Sequence, residues 1–555
     1  MTKKRLYLNT ISDDFNSDSD VAAGPWCFSG KEEIWPEWRS YEFCTSFDDV
    51  KLRQTHGEAT RWLAHQQIKK QATILNELHG LDYPLEFWHR LLINWMLHLV
   101  QGSWKLYNII EQLIAKHGND EFDVIITDIE NLKPIQNTEE FVVNLFEKNV
   151  ILWFFLSEII TELAPKNWSL YKTEYSEEIR PHPSRVPSKR PFLHFVPGLN
   201  HTSDKIFKAL ITLLNWRKRP IKKTDFIQPV AQPDFSFPET YLTVLNKLII
   251  HFLPQSFTEK FIENDTLIRN RPRRTGALRL GFINFHDDNE NLESAHALLS
   301  GEHVVSIQHG GCYGWASPFS LLAEVEYSLS GFITWGWKEH SEYEGQFQPL
   351  PIPMLSRHCH QGNNNSILLV GAAAYGFNPR FDLYPHPLKY LEDKKEILKY
   401  IHVNIRRNLF YRPYKVAQTF KDESLLVEHF PEISVHEGDF NDSVLACRLL
   451  VLDHASTSFH QALAWNVPTV VYWNENEWPL LDDKKYFLTC LKKAGIAFET
   501  PKELGEHINV IWEDVEGWWH SAEVQSARKE WINEYAQRSK FWWFHWLKFV
   551  LKGCF

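Results

Sequence analysis

The stretch "VVSIQHGGCYGWASP", Val304 to Pro318, decides the fold. An apolar, β-branched run stops at Gln308-His309 and then gives up side chains at Gly310 and Gly311. A short apolar run bounded by glycines reads as a buried strand of a parallel sheet, followed by a tight loop. In α/β sheets, ligands bind where loops leave the carboxyl ends of strands. His309 carries a group that exchanges protons near neutral pH. The glycines let backbone N–H groups of the cleft approach a sugar or phosphate without a Cβ in the way. Gln308 and Tyr313 flank the same loop.

A second stretch has the same form. In "RLLVLDHASTSFHQALAWNVPTVVYW" the run Leu449–Leu452 meets Asp453 and His454, then Ala455, Ser456, Thr457 and Ser458, and a helical pattern from Phe459. Ser and Thr at a helix start serve as caps. Three hydroxyls exceed what one cap needs, and a helix N-terminus with free amides is a ready anion site. Upstream of it, "NIRRNLFYRPYK" puts Arg406, Arg407 and Arg412 at the end of another strand, and Arg412 is the candidate to neutralise a donor phosphate.

Around the first of these ends the chain alternates. "ALRLGFINF", "LESAHALLS", "HVVSIQHGG", "SLLAEVEYSLS" and "GFITWGW" read as strand, helix, strand, helix, strand. The segment "PLPIPMLSRHCHQGNNN" is a break of prolines and Gly-Asn. A second series begins at "SILLVGAAA". The expectation is therefore an α/β protein with two Rossmann-like domains facing a cleft. The N-terminal, acceptor-side domain covers 1–355 with helical insertions, the donor domain 364–520, and an aromatic, basic C-terminal helix 521–555. The stretch 165–240, with "PHPSRVPSKRPF" and "NWRKRPIKK", reads as loops and a basic surface.

Bulk properties narrow the function. At 555 residues one core is not enough. A formal charge of −11 and a pI near 6.2 argue against nucleic acid as a partner. Seven cysteines without a CxxC pair suggest neither a zinc site nor a disulfide framework, and fit a reducing cytoplasm. The N-terminus lacks an apolar signal-peptide core, and no run reaches the ~18 apolar residues of a spanning helix. The 23 Trp, 37 Phe and 19 Tyr fit aromatic cores, sugar stacking or membrane-interface contact. "SKFWWFHWLKFVLKGCF" has the character of an interfacial amphipathic helix, and equally of a closing helix packed on the N-terminal domain.

In their order along the chain, "GPWCF", "QHGGCYGW", "FITWGW", "CRLLVLDHASTS", "NVPTVVYWNENEWPL", "LKKAGIAFETPKELGEHIN" and "WEDVEGWW" resemble a family of transferases of bacterial O-antigen and surface-polysaccharide biosynthesis. More distantly, the pattern is similar to capsule Kdo transferases and poly(glycerol-phosphate) polymerases. That resemblance implies a GT-B fold and a nucleotide-sugar donor such as CMP-Kdo, with a glycan or lipid-linked glycan as acceptor. It places His309 at the catalytic position and His454, Ser456, Thr457 and Ser458 at the donor phosphate. Gln461 stands where the family often carries a ribose-binding Glu.

The catalytic carboxylate is expected from Asp287 or Asp288, with Asp13 and Asp14 as further candidates. No cofactor and no metal are expected; the Asp18–Asp20 loop reads as an Asp/Ser turn. The expected setting is the cytoplasm or the inner face of the cytoplasmic membrane. Two other readings fit the same scaffold: a binding protein without catalysis, and an epimerase acting on a nucleotide sugar alone.

Overall fold

The computed structural model describes residues 4–174 and 227–552, apart from 32–34, 36–37, 39–40, 45–46, 363, 373–374, 383–386, 415–419 and 421, together with a few positions between 202 and 213. Most of the basic stretch, 175–226, thus lies outside the described residues.

The C-terminal half is one parallel six-stranded sheet. β9 (Ile367–Val370), β10 (Leu409–Arg412), β11 (Ser434–Val435), β12 (Leu449–Leu452), β13 (Thr469–Tyr472) and β14 (Ala497–Phe498) run in the order β11-β10-β9-β12-β13-β14. Counted from β9 this is 3-2-1-4-5-6, the Rossmann order. β9 and β12 are buried at every residue, because helices cover both faces of a parallel sheet. The strand order reverses between β9 and β12, and a crevice opens outside their carboxyl ends at such a switch point. Asp453 and His454 stand there.

The first half differs from a single Rossmann sheet. Its strands form two parallel four-stranded sheets. One is β2 (Val21–Ala22), β1 (Lys4–Tyr7), β3 (Phe122–Thr127) and β4 (Ser169–Thr173). The other is β5 (Leu278–Leu280), β6 (His303–Ile307), β7 (Gly331–Thr334) and β8 (Phe347–Pro349). Ser169–Thr173, expected to be loop, is thus a strand. Two long helices, α1 (Val50–His79) and α2 (Leu85–His117), pack on each other as a hairpin and share one buried cluster with the first sheet. α1 is started by the Asp49 side chain accepting from Leu52 N and stopped by Gly80 in the left-handed conformation. α2 buries nearly all of its circumference, polar Asn94, His98 and Gln101 included.

The two halves share an apolar core. Leu278, Val305, Ile307 and Phe332 of the second sheet belong to one buried cluster with Leu368, Leu452 and Val471 of the C-terminal sheet. The Pro-rich break near residues 355–364 is a loop, but the core runs past it. The last helices close over the first half. Gln537 N donates to Trp335 O, and Trp546 Nε1 donates to Pro351 O at 2.8 Å. No helix among the described residues is long and apolar enough to cross a membrane.

Candidate active site

β6 delivers His309 to the end of the second sheet. Gln308 beside it is fully buried and fully used. Its Oε1 accepts from Trp335 N and Trp337 Nε1, each at 2.9 Å, and its Nε2 donates to Gly310 O at 2.8 Å. Gln308 is the brace that fixes the loop.

His309 keeps about a third of its side chain exposed (32%). Its Nδ1 lies 2.9 Å from Tyr313 Oη. The Tyr313 hydroxyl donates to Glu326 Oε2, and Ser306 Oγ donates to Glu326 Oε1 at 3.1 Å. Burial, with the Glu326 carboxylate next, holds the Tyr313 phenol well above its ordinary pKa, so its proton stays on oxygen. With that proton committed to Glu326, Tyr313 Oη accepts from His309 Nδ1–H. Nε2, farther from the same oxygen at 3.4 Å, is then left as the basic nitrogen. Glu326 sits in a single turn of π-helix, Ala323–Tyr327, a geometry that recurs at functional sites.

Glu326 was not among the carboxylates singled out in the sequence. Those have other work. Asp287 caps α3 (Asp288–Leu299), accepting from Asn289 N at 2.9 Å and Glu290 N at 3.3 Å. Asp288 Oδ2 accepts from Thr138 N at 2.9 Å and Ser256 Oγ at 2.5 Å, and burial pushes its carboxyl up to about 6. Asp14 pairs with Arg5 and Asp13 with Lys31 near β1, and the buried Asp20 also holds Arg5. The readable sign of Glu326 was two acids, Glu324 and Glu326, inside the apolar run "SLLAEVEYSLS". Acids are rarely buried without a partner.

On the donor side β12 ends in a hydrogen-bonded chain. Asp453 Oδ1 lies 2.7 Å from His454 Nδ1, and His454 Nε2 lies 2.9 Å from Ser458 Oγ. Tyr390, on α4 (Pro387–Tyr400), donates to Asp453 Oδ2 at 2.6 Å, and the buried Lys394 lies 3.5 Å from the same oxygen. Burial works against the Asp453 charge, but Lys394 and His454 outweigh it and hold the carboxyl below its usual range. α5 (Thr457–Trp465) starts here, and Ser456 at its N-cap spends no side-chain bond on capping. Gln461 is buried one turn along the same helix.

Arg412 occupies the carboxyl end of β10, next to β9, and its guanidinium lies 5.2 Å from the Phe440 ring. Its buried Nε has no hydrogen-bond partner among the described residues. Arg406 and Arg407 do not share this place. They precede β10, and Arg406 is spent on Glu432 and on the Leu398 and Ile401 carbonyls.

The two strand ends meet. Gly311 N donates to Thr457 Oγ1 at 3.1 Å. A Cβ on Gly311 would lie 2.6 Å from the Ser456 carbonyl carbon and from His460 Nδ1. Gly311 is therefore required for the close approach of the α5 N-terminus. Trp315 donates to Gly311 O at 2.7 Å, and residues 315–317 zip against Pro479–Leu481. Across the same seam Arg53 on α1 donates to Asn476 O, and beside it Gln54 Nε2 ties α1 to Ser317 Oγ at 3.2 Å. A partly exposed imidazole and a Rossmann switch point thus face one another over a glycine-sized gap. The arrangement can remove a proton on one side and hold an anion on the other.

Comparison with known proteins agrees with a transfer reaction. The model of the LIC12162 family transferases matches residues 4–550. No curated protein matches the chain. Among solved structures it is similar to an O-GlcNAc transferase of Thermobaculum terrenum, with 10% identity over 96% of this chain and 89% of that one, at a TM-score of 0.31. That likeness is too low to add to the topology read above. A family match over nearly the whole length is decisive by itself: the chain belongs to the LIC12162 family of transferases.

Proposed function

We propose that this transferase is a glycosyltransferase of bacterial surface-polysaccharide biosynthesis that moves a sugar from a nucleotide donor, a CMP-linked acidic sugar such as Kdo, to a glycan acceptor. The observation that carries this reading is the contact of the His309 loop with the Ser456–Ser458 helix start at the Rossmann switch point.

In this mechanism His309 Nε2 takes the proton of an acceptor hydroxyl while that oxygen attacks the anomeric carbon. The bond from the anomeric carbon to the donor phosphate oxygen breaks, and its electron pair leaves with the nucleotide. Glu326, through Tyr313, steadies the imidazolium that forms. The α5 N-terminus, the hydroxyls of Ser456, Thr457 and Ser458, and Arg412 stabilise the departing phosphate. That electrostatic contribution is the larger share of catalysis in such sites. Asp453 and His454 orient Ser458, and Gln461 offers an uncharged acceptor for ribose hydroxyls. The acceptor is lipid-linked, and the exposed aromatic face of the last helix meets the membrane surface that carries it.

The test is a thermal-shift screen of CMP, CDP, UDP, GDP and ADP on wild type and Ser456→Ala. A ligand that binds only the folded state raises Tm by mass action. A shift with a cytidine nucleotide that vanishes in the variant is the expected outcome. A shift with UDP or GDP alone discards the cytidine donor. No shift with any nucleotide discards the donor site.

A further inference from the structure

Behind the π-turn, on the side away from His309, lies a cluster that the transfer chemistry does not use. His65 on α1, His89 on α2 and Glu324 on the π-turn are all buried, and one ligand atom from each lies within 4.8 Å of the others. We infer that these three side chains form a binding site for a divalent transition-metal ion of the zinc type, which staples the π-turn to the α1–α2 hairpin.

Two atoms carry the inference. His89 Nε2 and Glu324 Oε2 are buried without any hydrogen-bond partner among the described residues. Leaving a buried polar atom unpaired costs about 1–3 kcal/mol. These two orphans face each other at 3.7 Å, too long for a hydrogen bond. It is the right spacing for two ligands of one ion: bonds of about 2.0–2.2 Å in tetrahedral geometry put ligand atoms roughly 3.3–3.6 Å apart. His65 Nε2 lies 2.9 Å from Glu324 Oε1, a hydrogen bond that it would exchange for the ion to complete the set.

Two His and one Glu, with a fourth position for water, form a set that zinc and its neighbours accept.

Arg61 braces the other carboxylate oxygen, donating from Nε to Glu324 Oε1 at 2.6 Å and from Nη2 to Pro229 O at 2.8 Å. This turns Oε2 toward His89. Its positive charge lowers the affinity for a cation, and Glu58, 3.0 Å from Arg61 Nη1, offsets part of that. The consequence reaches the active site, because Glu326 is two residues along the same turn. No motif marks the cluster in the sequence, since 259 residues separate His65 from Glu324.

The experiment uses the full chain, stripped with chelator and titrated with Co²⁺ as the spectroscopic stand-in for Zn²⁺. About one Co²⁺ per chain is expected, with visible absorption that Zn²⁺ displaces and a higher Tm. His89→Gln and His65→Gln, each checked for folding by near-UV circular dichroism, lose that absorption. If a variant fails to fold, the wild-type titration and its Tm response to chelator decide alone. Failure of the wild type to take up Co²⁺ or Zn²⁺ overturns the site, leaving a water-filled polar void. Undiminished uptake by both folded variants overturns it as well. Metal content and absorption are read without any transfer assay, so this result stands apart from the glycosyltransferase reading.

Discussion

Gly311 N donates to Thr457 Oγ1 at 3.1 Å across 146 residues of sequence, and this bond joins the end of β6 to the start of α5. It explains why two glycines follow His309, and it separates their roles. At Gly311 a methyl group would meet Ser456 backbone atoms at 2.6 and 2.7 Å, and backbone cannot step aside. At Gly310 the nearest atoms are the Tyr313 ring at 3.5 Å and Thr457 Oγ1 at 3.7 Å, which is ordinary contact. Gly311→Ala should cost about 1–3 kcal/mol and lower Tm, as overpacking does. Gly310→Ala should stay within about 0.5 kcal/mol of wild type. Parallel melting curves check both, and equal losses would refute the division of roles.

Glu326 reaches the reaction through His309, by way of Tyr313 and directly at 3.6 Å from Nδ1, so its removal should act on turnover rather than on binding. Glu326→Gln keeps the shape and can still accept from Tyr313, but it removes the charge that steadies an imidazolium. General-base catalysis is worth about 10²–10⁴-fold, which bounds the fall in kcat. KM should hold within a few-fold. Tyr313→Phe breaks the same relay, so the double variant should be little worse than the single ones. Steady-state kinetics of the three variants decide; additive losses would place the two residues in separate tasks.

Asp287 precedes a helix that Asp288 opens, with Glu290 three residues beyond Asp287, which is also the signature of a helix start. The structure gives Asp288 a buried position with a carboxyl raised to about 6, against an ordinary 3.8, the penalty of burial exceeding the help from Ser256 and Thr138. A raised acid holds its proton longer in the folded state than in the unfolded one. Between about pH 4 and 6 the unfolded chain therefore binds fewer protons, and stability falls as pH rises through that window. The full effect is on the order of 2–3 kcal/mol. Asp288→Asn should remove this slope, leave the protein at least as stable at pH 8, and keep activity within a few-fold. Melting temperature against pH reads the first part. A loss of activity beyond 10²-fold, the lower end for a general base, would return Asp288 to the catalytic machinery.

Much of the C-terminal half was legible because parallel strands buried on both faces are continuous apolar runs, and β9, β12 and β13 each end on a chemical word. The His309 loop was legible for the same reason. Glu326 was not, since a π-turn has neither the helical nor the strand period, and its partner Tyr313 reads as one aromatic among many. The strand ends hid the arginines too. "NIRRNLFYR" does not say where the strand begins, and starting it at Leu409 puts Arg406 and Arg407 at the amino end and Arg412 at the carboxyl end. The division of the first half into two sheets depends on pairings between distant strands, which no local pattern encodes.

The last helix, α6 (Trp542–Lys552), packs one face on the protein and leaves the other exposed. Trp546, Phe549 and Val550 are buried against the first half, and Trp546 Nε1 donates to Pro351 O. The other side stays bare: Phe541 is 65% exposed, and Trp543 and Phe544 are each 53% exposed. Phe541, Phe544, Lys548 and Leu551 follow one another at three- and four-residue spacing, with Lys540 and Lys552 at the ends. An aromatic stripe edged with lysines suits the surface of an anionic bilayer, where each Lys adds about 1 kcal/mol. The wild type should therefore sediment with phosphatidylglycerol vesicles, less so at high salt. Phe541→Ser with Phe544→Ser should abolish that binding and leave Tm nearly unchanged, because both rings are more than half exposed. Trp546→Ala should instead destabilise by about 3–5 kcal/mol, as truncation of a buried Trp does. Vesicle binding that survives the double serine variant would show that this stripe is not the membrane contact.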